Sequence, residues 1–290
     1  MDTVSILKKV RRLEIKTKAI TKDLFSGDYH SAFKGRGMSF SEVREYSYGD
    51  DVRNIDWNVT ARTSTPFVKV FEEERELTLM LLIDVSASVN FGTQSKQKDE
   101  LTLEMAAVLA FSAMGNQDKV GAIFFSNKVE KYIAPKKGKQ NILHIIRTMI
   151  GFTPENQGTD LCVALEFLNN VQKKKSICFV LSDFVGLPYE KSLRLTSKKH
   201  DVIGLFIFDQ REKILPDVGL IEVTDPETSA TFVIDSGNKK VQETYLSSFI
   251  QHETEVKNTF TKARADLIQI STEDDYVKTL HSFFKKRAGK

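Results

Sequence analysis

The segment Thr78–Val85, TLMLLIDV, is almost wholly apolar, the pattern of a strand buried on both faces. Short apolar runs recur at Val120–Phe125, Ser176–Leu181, Val202–Phe208 and Asp266–Ile270. Between them lie stretches with apolar residues three and four apart, which predict helices. They are Lys98–Met114, with Leu101, Met105, Val108, Leu109 and Ser112 on one side, then Gln140–Met149, Asp160–Val171, Tyr189–Lys198 and a helix ending near Arg264. Phe67–Phe71 and Lys131–Ala134 read as further strands, the second reached through a hairpin-like turn at Ser126-Asn127-Lys128. Leu220–Asp235 reads as an antiparallel hairpin turning at Asp225-Pro226-Glu227-Thr228. A last helix, Glu273–Arg287, carries Asp274 and Asp275 in its first turn and Lys285, Lys286 and Arg287 in its last, so both ends complement the dipole. Strands that alternate with helices predict an α/β fold, a doubly wound, mostly parallel sheet covered on both faces.

Upstream, the pattern differs. Residues 3–25 place Ile6, Val10, Leu13, Thr17, Ile20 and Leu24 on one helical face, with Lys8, Lys9, Arg12, Lys16 and Lys22 on the other. That basic stripe reads first as a solvated face and second as a peripheral membrane contact. From Gly27 to Arg62 no period is evident, and so long a stretch needs pinning by specific contacts. Trp57 and the charges Arg44, Glu45, Asp50, Asp51, Arg53, Asp56 and Arg62 predict an ordered, salt-bridged lobe, read first as a buried ion-pair network and second as a contact surface or a brace for loops of the main domain. The division expected is 1–75, an N-terminal helix and extended segment packed on the main domain, and 76–290, the α/β domain with an inserted hairpin and a C-terminal helix.

Composition narrows the function classes. At 290 residues, 41% hydrophobic and 28% charged, the chain is globular rather than disordered or fibrous. A net charge of +3 is too small to argue for nucleic acid, and the short lysine runs at 136–139, 173–175 and 198–199 read as solvated charge. Cys162 and Cys178 lie in apolar surroundings without zinc-ligand spacing and read as reduced core thiols. With neither a signal-peptide pattern nor an apolar run of the ~18 residues a span needs, the expected location is cytoplasmic. The five histidines are scattered, and no P-loop, HExxH or GxSxG run occurs, so the chain is expected not to be an enzyme.

Three loops at strand ends carry oxygen donors. The strand at 78–85 runs into Asp84-Val85-Ser86-Ala87-Ser88, Gly158-Thr159-Asp160 precedes a helix, and the strand at 176–181 ends in Ser182-Asp183-Phe184. Open α/β sheets bind ligands at such carboxyl ends. A small divalent cation takes hard oxygen ligands and keeps waters in the remaining positions. Asp84, Ser86, Ser88, Thr159 and Asp183 supply that set, with Mg²⁺ the first expectation and Mn²⁺ or Ca²⁺ the alternatives.

DVSAS, then GTD, then SDF, each after its expected element, resembles the von Willebrand factor type A fold and its metal-ion-dependent adhesion site. The resemblance implies that Asp84, Ser86, Ser88, Thr159 and Asp183 are the metal ligands and that a partner carboxylate fills the open position. The segment GRGMSFSEVREYSYGDDVRNIDWNVTARTSTPFVKVFEEE, joined directly to the DVSAS strand, resembles the bacterial family labelled domain of unknown function fifty-eight. That resemblance implies a metal-dependent protein–protein interaction module, an adaptor or partner of a MoxR-type AAA+ ATPase, or of other type A-domain proteins, in complex assembly. Some members carry two N-terminal membrane helices, a pattern not seen in this sequence. The alternative function is a metal-dependent hydrolase at the same cation site.

Overall fold

The computed structural model describes residues 10–17, 20, 29, 32, 33, 38–73, 77–86, 97–155, 158–224 and 231–289. They fall into two compact units, Phe33–Leu77 and Thr78–Lys290, the latter together with the described residues up to Ala32.

The larger unit is built on six strands: β3 (Thr78–Asp84), β4 (Lys119–Phe125), β5 (Val129–Lys136), β6 (Ile177–Ser182), β7 (Asp201–Phe208) and β10 (Asp266–Ser271). Their order across the sheet is β10-β7-β6-β3-β4-β5. Every neighbouring pair is parallel except β4 with β5, whose short turn permits only an antiparallel return. This is the doubly wound, mostly parallel arrangement that the alternation of elements predicts.

Both faces are covered, which is why β3, β4 and β6 read as unbroken apolar runs. On one face Met80, Leu82, Cys178 and Val180 pack with α4 (Leu161–Val171), α5 (Glu190–Lys199) and α7 (Lys239–Ala263). Gly204 in β7 leaves the space that the Phe260 ring of α7 fills, since a Cβ there would lie 2.5 Å from that ring. On the other face lie α2 (Lys98–Gly115), α3 (Lys139–Ile150) and α8 (Tyr276–Ala288). Phe284 of α8 meets Phe179 of β6 and Tyr29 edge-on.

The structure changes several expectations. Helix α2 is buried along both its sides from Leu101 to Ala113, not along one stripe, because sheet, α3 and the helical residues 10–17 all crowd around it. Lys16 of that N-terminal stretch pairs with the buried Glu104 of α2, and Glu14 pairs with Lys139, so at least one cation of the basic stripe is spent internally. Val10, Leu13 and Thr17 are buried as their spacing predicts, while Ile6, Lys8, Lys9, Lys22 and Leu24 lie outside the described residues. Helix α8 starts at Tyr276, because Asp275 rather than Ser271 or Thr272 caps it. Of the two thiols only Cys178 is buried; Cys162 is half-exposed at the start of α4. The expected hairpin is present as β8 (Leu220–Thr224) against β9 (Thr231–Asp235), with its turn outside the described residues. Among the described residues, no helix is long and apolar enough to cross a membrane.

In the smaller unit, β1 (Met38–Glu45) pairs antiparallel with β2 (Phe67–Glu73). The connection, aperiodic in sequence, is held by local capping. Asp51 caps a 3-10 turn at Val52–Asn54, and Asp56 caps α1 (Trp57–Thr63) through the N–H groups of Asn58 and Val59. Arg44 grips Asp50 through two bonds of 2.7 and 2.8 Å, and Arg53 grips Asp51. These pairs are solvent-exposed, not buried, and Trp57 is 70% exposed. The reason is range: each pair closes over two to six residues, so it pins a surface turn without needing a core.

Candidate functional site

The strand order reverses between β3 and β6, and at such a switch point a crevice opens at the carboxyl ends of the strands. There β3 ends in Asp84 and β6 ends in Ser182, followed by Asp183. Ser182 Oγ donates to Asp84 Oδ2 at 2.6 Å and accepts from the Phe184 N–H at 2.9 Å. Asp84 Oδ1 accepts from the Ser86 N–H at 2.9 Å, an Asx turn that folds the chain back over the strand end. Asp183 Oδ1 accepts from the Val185 N–H at 3.3 Å. Beyond it Phe184, at φ +55°, packs its ring on Phe260, which anchors the loop to the core.

Thr159 stands on the neighbouring loop. Asp160 caps α4 through the Cys162 N–H, and its own N–H donates to the Ser126 carbonyl just past β4. Gly186, at φ +137°, lies so close that a Cβ there would sit 2.5 Å from the Thr159 carbonyl oxygen. The loops carrying Asp183 and Thr159 are therefore in contact.

Charge in the cluster is uneven. Asp183 Oδ2 accepts from Lys98 Nζ at 3.0 Å, and the same ammonium donates to Glu212 Oε1 at 2.6 Å. Lys98 and Asp183 are buried side by side. Burial works to lower the pKa of Lys98, but Asp183 and Glu212 outweigh it and hold the ammonium above the usual lysine value. Asp84 has no such cation among the described residues. Burial, with the nearby Asp183 adding to it, pushes its carboxyl up to about 7, against the hydrogen bonds from Ser182 and Ser86.

Whether these residues suit a small divalent cation can be asked of the donors themselves. Asp84 is a buried carboxylate without a neutralising partner among the described residues, and Thr159 Oγ1 is a buried hydroxyl without a hydrogen-bond partner there. Both are hard oxygen donors of the kind Mg²⁺ takes. Among the described residues no three His, Cys, Asp or Glu side chains gather to hold a metal. The strand-end set has two carboxylates and leans on hydroxyls, so it fits a magnesium-type ion that keeps waters and not a zinc-type ion.

Of the five residues singled out from sequence, Asp84 and Ser86 lie together on the β3 turn and Asp183 on the adjacent strand end. Thr159 lies against the loop after Asp183, and Ser88 falls outside the described residues. Sequence reasoning missed Lys98, Glu212 and His252. His252, on α7 and one of the five histidines scattered along the sequence, lies beside the site: its Nε2–H donates to the Asp183 carbonyl at 2.9 Å. No sequence signal marks Lys98: a lysine in a first helical turn opposes the helix dipole, but it reads equally as solvated charge.

The family described as protein of unknown function DUF58 matches residues 42–255, well over half of the chain. The chain belongs to the DUF58 family. This DUF58 chain is 29% identical over 292 residues to the uncharacterized protein Rv1480 of Mycobacterium tuberculosis, covering 99% of this chain and 91% of that protein. Its similarity to the uncharacterized protein Mb1516 of Mycobacterium bovis has the same figures, 29% over 99% and 91%. Among solved structures, the DUF58 chain is similar to an aerotolerance-related membrane protein from Bacteroides fragilis, with TM-score 0.49 and 12% identity over 73% of this chain and 98% of that one. It is also similar to BatB from Bacteroides thetaiotaomicron, with TM-score 0.48 and 13% identity over 74% of this chain and 100% of that one.

Proposed function

We propose that this DUF58 protein is a metal-dependent protein-interaction module whose partner is a MoxR-type AAA+ ATPase. Asp84, Ser86, Ser88, Thr159 and Asp183 would hold the ion, Mg²⁺ in the first instance. Two observations carry the reading, both counted among the described residues: Asp84 at the switch point of the sheet is a buried carboxylate lacking a cation, and Thr159 Oγ1, on the loop that touches the one after Asp183, is a buried hydroxyl lacking a hydrogen-bond partner. A bound divalent cation supplies a positive centre for a carboxylate from another protein. The chain's own residues would fix that centre: Ser182 Oγ and the Ser86 N–H orient Asp84, the Val185 N–H orients Asp183, and His252 holds the Asp183 carbonyl. The resemblance of the DVSAS, GTD and SDF loops to an adhesion site supports binding as the task, and the resemblance of the Gly35–Glu74 signature supports the ATPase as partner.

Affinity capture with wild type and Asp84→Ala, each in Mg²⁺ and in chelator, tests the reading by mass spectrometry of the bound proteins. An AAA+ ATPase retained by wild type in Mg²⁺, and absent from the other three samples, is the expected result. The same proteins in all four samples would show that the metal site is not the interface.

A further inference from the structure

Lys98 is the feature of this cluster that a set of oxygen ligands does not explain. Its side chain is 2% exposed, yet it carries a charge at the carboxyl edge of the sheet, bonded to Asp183 Oδ2 and Glu212 Oε1. The position is unfavourable on local grounds, because the first turn of α2 presents the positive end of the helix dipole. What holds it is a chain of fixed acceptors. Glu212 Oε2 accepts from the Asp209 N–H at 2.8 Å within the capping box of the short helix α6 (Gln210–Lys213), and Asp209 Oδ2 accepts from Thr272 Oγ1 at 2.7 Å. The second anchor of Lys98 is thus fastened to the ends of β7 and β10.

The two carboxylates of the site are therefore not equivalent. Asp183 is already paired with a cation of the chain's own, whereas Asp84 has none among the described residues. We infer that Lys98 is a positioning residue that holds Asp183 as an ion pair and, by its charge, lowers the affinity of the cluster for a divalent cation, so that bound metal stays exchangeable. The inference rests on the reading that the cluster takes a cation, and it adds what sets the strength of binding. Cation affinity in oxygen sites follows the number of uncompensated ligand charges, and Lys98 removes one of them. A like charge within a few ångströms in a partly dehydrated site acts in the same direction.

Calorimetric titration of the whole chain with Mn²⁺ and with Mg²⁺ tests this on wild type, Lys98→Met, Lys98→Arg and the double variant Lys98→Met/Glu212→Gln. The double variant removes the carboxylate that the single change would leave buried beside an apolar side chain, and circular dichroism establishes that each protein is folded. Lys98→Met and the double variant are expected to bind Mn²⁺ tighter by about tenfold or more. Lys98→Arg is expected to keep the weaker affinity of wild type, which a purely structural role for the lysine stem would not predict. Wild-type affinity in the folded double variant, or weaker binding there, overturns the inference while leaving the cation reading intact. No binding by wild type or by any variant overturns both.

Discussion

Replacing Gly186 by alanine attacks the contact between the loops that carry Thr159 and Asp183. At φ +137° the residue sits where an L side chain is strained, which costs about 1–3 kcal/mol. The new Cβ would also lie 2.5 Å from the Thr159 carbonyl oxygen and 3.3 Å from its carbonyl carbon and Cβ. These are mostly backbone atoms, so relief needs one loop to move by about 1 Å toward ordinary van der Waals separation, and overpacking of this kind costs about 1–3 kcal/mol more. Gly219→Ala is the matched control: φ is +80°, and nothing lies within 4 Å of its Cβ position, so only backbone strain is added. Urea unfolding at neutral pH is expected to show Gly186→Ala losing about 2–5 kcal/mol, clearly more than Gly219→Ala. Calorimetry should also find Mg²⁺ binding weakened in Gly186→Ala and unchanged in Gly219→Ala. Equal destabilisation of the two variants, with equal Mg²⁺ affinity, would refute the contact between the loops and with it the role of Thr159 beside Asp183.

Two further outcomes follow from buried and exposed charges. Arg287, 7% exposed, holds Asp201 and bonds Asp266 at 2.7 Å, so Arg287→Ala withdraws a guanidinium from a buried carboxylate and should destabilise by about 3 kcal/mol in chemical unfolding. Arg53→Ala breaks a solvent-exposed pair with Asp51 and should leave the unfolding midpoint where it was; similar losses in both variants would contradict the burial argument. His200 is buried with Nδ1 accepting from the Ser176 N–H, and burial, aided by Lys199, lowers its pKa to about 4. Between the 6.5 of the unfolded chain and that value, only the unfolded state takes up the proton, so stability is full above pH 6.5 and falls as pH drops toward 4. Unfolding midpoints measured from pH 7.5 down to pH 4.5 should fall less steeply in His200→Gln than in wild type, and parallel curves would exclude His200 as a source.

The main sheet was legible because its strands obey one rule. A strand covered on both faces must be apolar through its interior, and β3, β4, β6 and β7 are, with polar side chains only at their ends. Patterning failed where burial does not follow a single face. Helix α2 shows a stripe in sequence and is buried almost all round, because polar Thr102 and Ser112 return their hydroxyls to carbonyls four residues back and so tolerate the interior. The connection from β1 to β2 failed for the opposite reason. Its order comes from side-chain caps at Asp51 and Asp56 and from surface ion pairs, which leave no hydrophobic period to read.

The site divides along the same line. Asp84, Ser86, Thr159 and Asp183 stand at the ends of elements, so locating the strands located the residues, and the switch point in strand order brought the first and last together. Lys98 and Glu212 were invisible because their meaning lies in pairings across 85 and 114 positions of sequence. A lysine opening a helix ordinarily reads as solvated charge. Only the topology that sets the start of α2 against the carboxyl ends of β6 and β7 turns it into the counter-charge of Asp183. The same topology leaves Asp84 as the carboxylate for which the described part of the chain supplies no cation, and that asymmetry links the proposed metal requirement to the proposed brake on metal affinity.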